Sequence, residues 1–199
     1  MTKQFVTSDL HFGHSNIIKY CPDSRGHLTG VDQMNAEIIN LFNEVVGKED
    51  HTYILGDFAF CKPEQAMKFM AQMNGTKTLI HGNHDRKLVA SMEFRNPSVR
   101  RMAGLVEDTP YKVISHSVDG VKYGVVLFHF RIASWDGAHH GSIHLYGHEH
   151  GNGPVMTTRC MDIGADTNHL RPYQLDRVVA ELAKRELTKS GHHDGNREW

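Results

Sequence analysis

Apolar residues along this chain follow two rhythms, which change places near the middle. In the first half, short apolar runs alternate with longer segments of helical spacing. Residues 3–8, KQFVTS, read as a buried strand ending in polar residues, His51–Leu55 as a second and Lys77–Ile80 as a third. Between the first two, residues 31–46 carry Met34, Ile38, Leu41 and Val45 at three- and four-residue intervals. That spacing predicts an amphipathic helix, stopped by Gly47. Pro63 suits a first helical turn, so another helix is expected from there to Met73.

The second half is mostly strand. Tyr111–Ser117 and Val121–His129 read as a pair, with Asp119-Gly120 as the tight turn between them. Ser142–Tyr146 and Arg159–Ile163 are further strands, and Gln174–Leu187 has helical spacing at Leu175, Val178, Val179 and Leu182. Residues 188–199 are polar and aperiodic, so a loose tail is expected beyond a domain spanning 1–187. No repeat or linker interrupts the chain. Alternation of strand and helix, then a strand-rich half, predicts an α/β fold of two packed sheets covered by helices.

Composition narrows the setting. A chain of 199 residues with 39% hydrophobic content can bury a core without covalent staples. Cys21, Cys61 and Cys160 are odd in number, widely spaced and in no CxxC pattern, against both a disulfide framework and a zinc ribbon. The opening MTKQFVTSDLHFG has no long apolar run, and nothing approaches the roughly 18 apolar residues of a membrane span. A cytoplasmic protein with no membrane partner is expected. Lys plus Arg number 22 and Asp plus Glu 23, a net charge of −1, so no basic surface advertises a long nucleic acid. A nucleotide substrate stays open, since bound metal would bring its own positive charge.

The 16 histidines change the picture, because they are clustered and neutral imidazole is the commonest metal ligand. Polar clusters follow strand-like segments directly: Asp9-Leu10-His11, Gly56-Asp57, Gly82-Asn83-His84-Asp85 and Gly147-His148-Glu149-His150. His129 closes the Val121–His129 strand in the same way. Ligands collect beyond the carboxyl ends of strands in open α/β sheets. Asp9, His11, Asp57, Asn83, His129, His148 and His150 form a nitrogen and oxygen set without thiolate, suited to Mn²⁺, Fe or Zn²⁺. That set is too large for one tetrahedral ion and suits two ions about 3.5–4 Å apart, with a carboxylate such as Asp57 between them.

The blocks TSDLHFGH, ILGD, IHGNHD, FHF and LYGHEHG, in that order over residues 7–151, resemble the calcineurin-like metallophosphoesterase superfamily. The opening SDLHFGHSNII also resembles small phosphoesterases of bacteria and their phages. The resemblance implies a four-layer αββα sandwich of two mixed sheets flanked by helices. It implies two divalent metal ions, Mn²⁺ first and Fe, Zn²⁺ or Ni²⁺ as alternatives. Asp9, His11 and His150 would hold one ion, Asn83, His129 and His148 the other, with Asp57 bridging. A hydroxide held between the ions would attack phosphorus in line, while His84 assists the leaving oxygen and Asp85 orients His84. The expected partner is a small, nucleotide-like phosphodiester or phosphomonoester. The rival reading is a non-catalytic, metal-stabilised scaffold of the same fold, whose usual signature is a lost ligand or catalytic histidine; this chain keeps all of them.

Substrate contacts are sought next to these blocks. Asn83, Arg86 and Arg131 are candidates, since guanidinium matches phosphate bidentately, and His14 follows the first cluster. Arg25 lies in a Pro- and Gly-containing loop and reads as a surface residue; Trp135 reads as a loop anchor, with base stacking as its alternative. Many relatives carry a proline two residues after the equivalent of His129, where this chain has Arg131. The substrate contacts of that loop are therefore expected to differ.

Overall fold

The computed structural model describes residues 2–187; the expected tail at 188–199 lies outside them. Nine strands form two mixed sheets. The first contains β1 (Gln4–Thr7), β2 (His51–Ile54), β3 (Thr76–Ile80), β4 (Leu105–Thr109) and β9 (Tyr173–Gln174) in the order β4-β3-β2-β1-β9. Its strands run parallel apart from β9, which joins β1 antiparallel. The second contains β5 (Tyr111–Val118), β6 (Val121–Phe128), β7 (Ile143–Tyr146) and β8 (Cys160–Asp162) in that order. There β5 and β6 are an antiparallel hairpin, and β6, β7 and β8 are parallel. Asp119 and Gly120 turn the hairpin with φ of 51° and 79°, both left-handed as a two-residue I′ turn requires.

Side-chain alternation explains how the layers stack. In the first sheet, Phe5, Ile54 and Leu79 face outward into a cluster with helix residues, while Val6, Tyr53 and Ile80 face the second sheet. The outer cluster is supplied by α3 (Val31–Val45), whose buried stripe runs Met34, Ile38, Leu41 and Phe42, and by α4 (Pro63–Gln72) through Ala66, Met67 and Met70. Val125, Leu127, Ile143 and Leu145 face inward from the second sheet. Burying each such side chain contributes about 1.5–3 kcal/mol, so this apolar layer is the main force holding sheet to sheet. On the outer face of the second sheet, Val126, Tyr146 and Cys160 lie beneath Trp135 and Ala138, in a segment containing one 3₁₀ turn, Ala138–His140. Trp135 is buried there and donates to Ser142 O, so it anchors its loop.

Two sequence expectations need adjustment. The last helix, α8 (Leu175–Leu182), buries Leu175, Val178, Val179 and Leu182 but ends before the expected Leu187. Arg159 ends it by donating to Ala183 O at 2.7 Å and Arg185 O at 3.3 Å, which satisfies terminal carbonyls. Residues 86–110 carry structure that spacing left unassigned: β4 and three short helices, α5 (Arg86–Ala90), α6 (Met92–Arg95) and α7 (Pro97–Met102). Two more single-turn helices, α1 (Ile17–Tyr20) and α2 (Pro22–Arg25), follow the first polar cluster. No helix among the described residues is long and apolar enough to cross a membrane.

Candidate metal centre

All the polar clusters leave the carboxyl ends of parallel strands: Asp9 and His11 after β1, Asp57 after β2, Asn83 after β3, His129 after β6, and His148 and His150 after β7. The connecting loops stay hydrogen-bonded beyond the sheets. Asp9 N donates to Gly56 O, His11 N to Asp57 O and Phe12 N to Phe58 O, each at 3.0 Å, and Gly147 N donates to His129 O at 2.9 Å. The turns that result are tight. Asp9, His11, Asp57, His148 and His150 have φ of 57°, 52°, 50°, 72° and 50°. Left-handed backbone costs a non-glycine residue of order 1–3 kcal/mol and persists only where the surroundings over-determine it. Five of these residues at one point mark a site built against local preference. The glycines heading the GNHD and GHEH runs have a steric reason: a Cβ on Gly82 would fall on the Asp57 carboxylate, and one on Gly147 on Ser8 and Asp9.

The expected ligands converge in two groups. Ligand atoms of Asp9, His11 and His150 lie within 4.8 Å of one another, and so do those of Asp57, His129 and His148. Asp57 faces both: its Oδ2 is 3.8 Å from His11 Nε2 and its Oδ1 is 3.5 Å from His129 Nε2. Asn83 Oδ1 reaches His129 Nε2 at 3.0 Å. Several rings are fixed through their far nitrogens. His129 Nδ1 meets Leu55 O at 2.7 Å, and His150 Nδ1 meets Asp166 Oδ2 at 2.7 Å. Either acceptor takes an Nδ1–H and leaves Nε2 as the ligand atom of the neutral ring, which is how ligating histidines are held.

The donors fit divalent cations. Asp9 and His11 are buried, and among the described residues Asp9 Oδ1 and both ring nitrogens of His11 have no hydrogen-bond partner. Burial pushes Asp9 up to about 7, against the opposing charge of His150, and pushes His11 down to about 2, with His150 adding to the effect. Both residues are held in forms that burial alone prefers, and a cation would supply the compensating charge.

The remaining expected residues fall in different places. His84 is 39% exposed, with Nε2 3.8 Å from Asp57 Oδ2, and its backbone N–H donates to Asp57 Oδ1 at 2.9 Å. Asp85 does not orient it. Its fully buried carboxylate accepts from Gly82 N at 2.8 Å, Asp57 N at 2.9 Å and Phe58 N at 3.0 Å, which ties the β2 and β3 loops together. Arg131 is partly exposed, and its Nε is held by Glu149 at 2.9 Å. Arg86 is exposed and carries no ion pair or hydrogen bond among the described residues. His14 stands at the edge, its ring 5.4 Å from that of His11.

Arg25 is the clearest correction: it is fully buried, not a surface residue. Its Nε and Nη2 grip Asp166 at 2.7 and 3.0 Å, and Nη2 and Nη1 donate to Asp9 O at 2.8 Å and Leu10 O at 3.1 Å. Arg25 therefore supports His150 through Asp166 and pins the strained turn after β1. Asn35 of α3 adds to that support by accepting from Gly13 N at 2.9 Å. None of these links shows in local spacing, since Arg25 and Asp166 lie 141 positions apart.

A family profile described as calcineurin-like phosphoesterase matches residues 3–180. The chain belongs to the calcineurin-like phosphoesterase family. As a member it is a metal-dependent phosphoesterase. It is 27% identical over 198 residues to uncharacterized protein MJ1445 of Methanocaldococcus jannaschii, covering 96% of this chain and 97% of that protein. It is likewise 27% identical over 181 residues to the Gene 66 protein of Mycobacterium phage L5, covering 80% of this chain and 82% of that one. Among solved structures, the phosphoesterase is similar to AQ665 of Aquifex aeolicus, a protein of unknown function. That match has a TM-score of 0.64 at 21% identity, over 92% of this chain and all of the other, and it supports the two-sheet fold.

Proposed function

We propose that this phosphoesterase hydrolyses small, nucleotide-like phosphodiesters or phosphomonoesters at a centre of two divalent cations. Asp9, His11 and His150 hold one cation, Asn83, His129 and His148 hold the other, and Asp57 lies between them. The observation that carries this reading is the aspartate's position, with one oxygen 3.8 Å from His11 Nε2 and the other 3.5 Å from His129 Nε2. The mixed nitrogen and oxygen donors favour Mn²⁺, with Fe, Zn²⁺ or Ni²⁺ as alternatives. When bound, such ions polarise the phosphate and provide a nucleophile near neutral pH.

The protein's own groups do the positioning. Leu55 O and Asp166 hold the rings of His129 and His150 through Nδ1, which would leave Nε2 to meet a cation. His84 is the group free to meet the leaving oxygen, because it is partly exposed and its backbone is fixed to Asp57. An imidazole placed there can deliver a proton to a departing alkoxide. Arg86, exposed and two positions along the chain from His84, would meet the phosphate or the group attached to it.

The test is hydrolysis of bis-p-nitrophenyl phosphate and its mono-ester in Mn²⁺, before and after chelation, with metal content measured on the same samples. His84→Ala is expected to keep both ions and lose about 10²–10⁴-fold in turnover. Asp57→Asn is expected to lose metal itself. An Asp57→Asn protein that is fully loaded and active would sink the assignment.

A further inference from the structure

Beside the metal centre stands a set of rings that the hydrolytic machinery does not use. Phe60 is 51% exposed, and its ring lies flat on that of His14, with centroids 4.4 Å apart at 24°. Phe60 also meets His84 edge-on at 5.2 Å. Tyr20, 66% exposed, adds a third ring 6.2 Å from His14. The row is continuous with the site, because His84 separates Phe60 from the Asp57 carboxylate. The Phe60 backbone is tied to the loops of that site: Phe60 N donates to Phe12 O at 2.7 Å, continuing the ladder from β1.

An aromatic side chain with half its surface in water is ordinary when it stands alone. Here it is fixed against a second ring, beside the residue that a leaving group must pass. An exposed flat ring suits a flat ligand, since stacking needs matched planes and no enclosing pocket. His84 links Phe60 to the carboxylate, with its ring centroid 5.2 Å from that of Phe60 and its Nε2 3.8 Å from Asp57 Oδ2.

We propose that Phe60, backed by His14, is the platform on which the nucleobase of a nucleoside phosphoester stacks while its phosphate lies at the Asp57 centre. The proposal rests on the phosphoesterase reading of that centre and names its substrate class. Discrimination then comes from the ring and not from base-edge hydrogen bonds, so purine and pyrimidine nucleotides are accepted with similar preference over sugar phosphates.

The experiment is calorimetric titration of the Mn²⁺-loaded protein with methylene-phosphonate analogues of AMP and of ribose 5-phosphate, which do not turn over. The wild-type protein is expected to bind the AMP analogue about 10-fold or more tightly than the sugar analogue, within what base–aromatic stacking supplies. Phe60→Ala is expected to bring that ratio to about one, and Phe60→Trp to preserve it. Equal affinities in the wild type, or a ratio that survives Phe60→Ala, overturn the platform. Failure of the AMP analogue to bind overturns it as well. Turnover of bis-p-nitrophenyl phosphate by the same preparation then shows whether the hydrolytic reading stands without it.

Discussion

Removal of the Arg25 guanidinium is the most informative perturbation of the support beneath the metal centre. The Arg25→Met substitution keeps much of the side-chain volume and removes the charge. In the native protein the guanidinium is fully buried, and Asp166 is 2% exposed beside it. Substitution leaves the Asp166 carboxylate buried with only His150 Nδ1 and Ser24 Oγ as side-chain partners. It also strips a donor from the carbonyls of Asp9 and Leu10. Breaking one side of a buried pair costs about 3–5 kcal/mol, a large share of the roughly 5–15 kcal/mol that holds a domain folded. Metal affinity should fall about 10–100-fold as well, because Asp166 then no longer fixes the His150 ring.

The assay is urea denaturation of metal-free protein followed by circular dichroism, with Mn²⁺ titrated separately into the folded variant. Acid dependence adds a signature. Burial opposes ionisation of Asp166, but bonds from His150 and Arg25 hold its folded value below the ordinary 3.8. Its contribution is therefore complete above 3.8 and is lost only as pH falls further. Without Arg25 the folded value rises, and the loss begins at higher pH. Pairing Arg25→Met with Asp166→Asn should recover part of the stability and none of the metal affinity. A cost below about 1 kcal/mol, as for an exposed ion pair, would refute the reasoning, as would unchanged Mn²⁺ binding.

Other outcomes are expected on the same grounds. Asp85→Asn turns one of its accepting oxygens into a donor facing backbone N–H groups, so stability should fall by about 1–3 kcal/mol and metal occupancy should drop; an unaffected melting curve would contradict this. Burial holds Lys77 down to about 8, against 10.5 for the free side chain. Between those values the unfolded chain binds the proton that the native protein has released, so native stability rises with pH through that window. Lys77→Met should abolish the rise, as read from denaturation midpoints at pH 8 and 10 (roughly the window's edges). Chelation should lower the melting temperature of the wild-type protein, since an ion at about 100 times its dissociation constant contributes about 2.7 kcal/mol; a melting temperature indifferent to chelator would count against a bound metal.

The strands carrying the polar clusters were legible because each is an apolar run closed by a glycine or a polar pair, a local pattern. The helix from Val31 was legible because Met34, Ile38 and Leu41 keep one face. β4 was hidden because it is an edge strand with only Leu105 buried, and β9 because it has two residues. Arg25 was misread because burial of a charge depends on a partner 141 positions away, which a loop's composition cannot reveal. Asp85 was taken by nearby competitors, since three backbone amides claim its carboxylate. Phe60 carried no signal, because its significance lies in the rings around it.

The clusters come from both sheets, from β1, β2 and β3 on one side and β6 and β7 on the other. Between the sheets lies an apolar layer, and apolar contact has little sense of direction. Two greasy surfaces tolerate a small slide or rotation at modest energetic penalty, whereas a ring of ligands that must close on fixed points does not. The chemistry end of the sandwich thus works as an alignment gauge for the whole molecule. A change deep in the layer, at Leu127 or Ile80 for instance, would be felt first as a coordination shell that no longer closes, while the fold itself still stood.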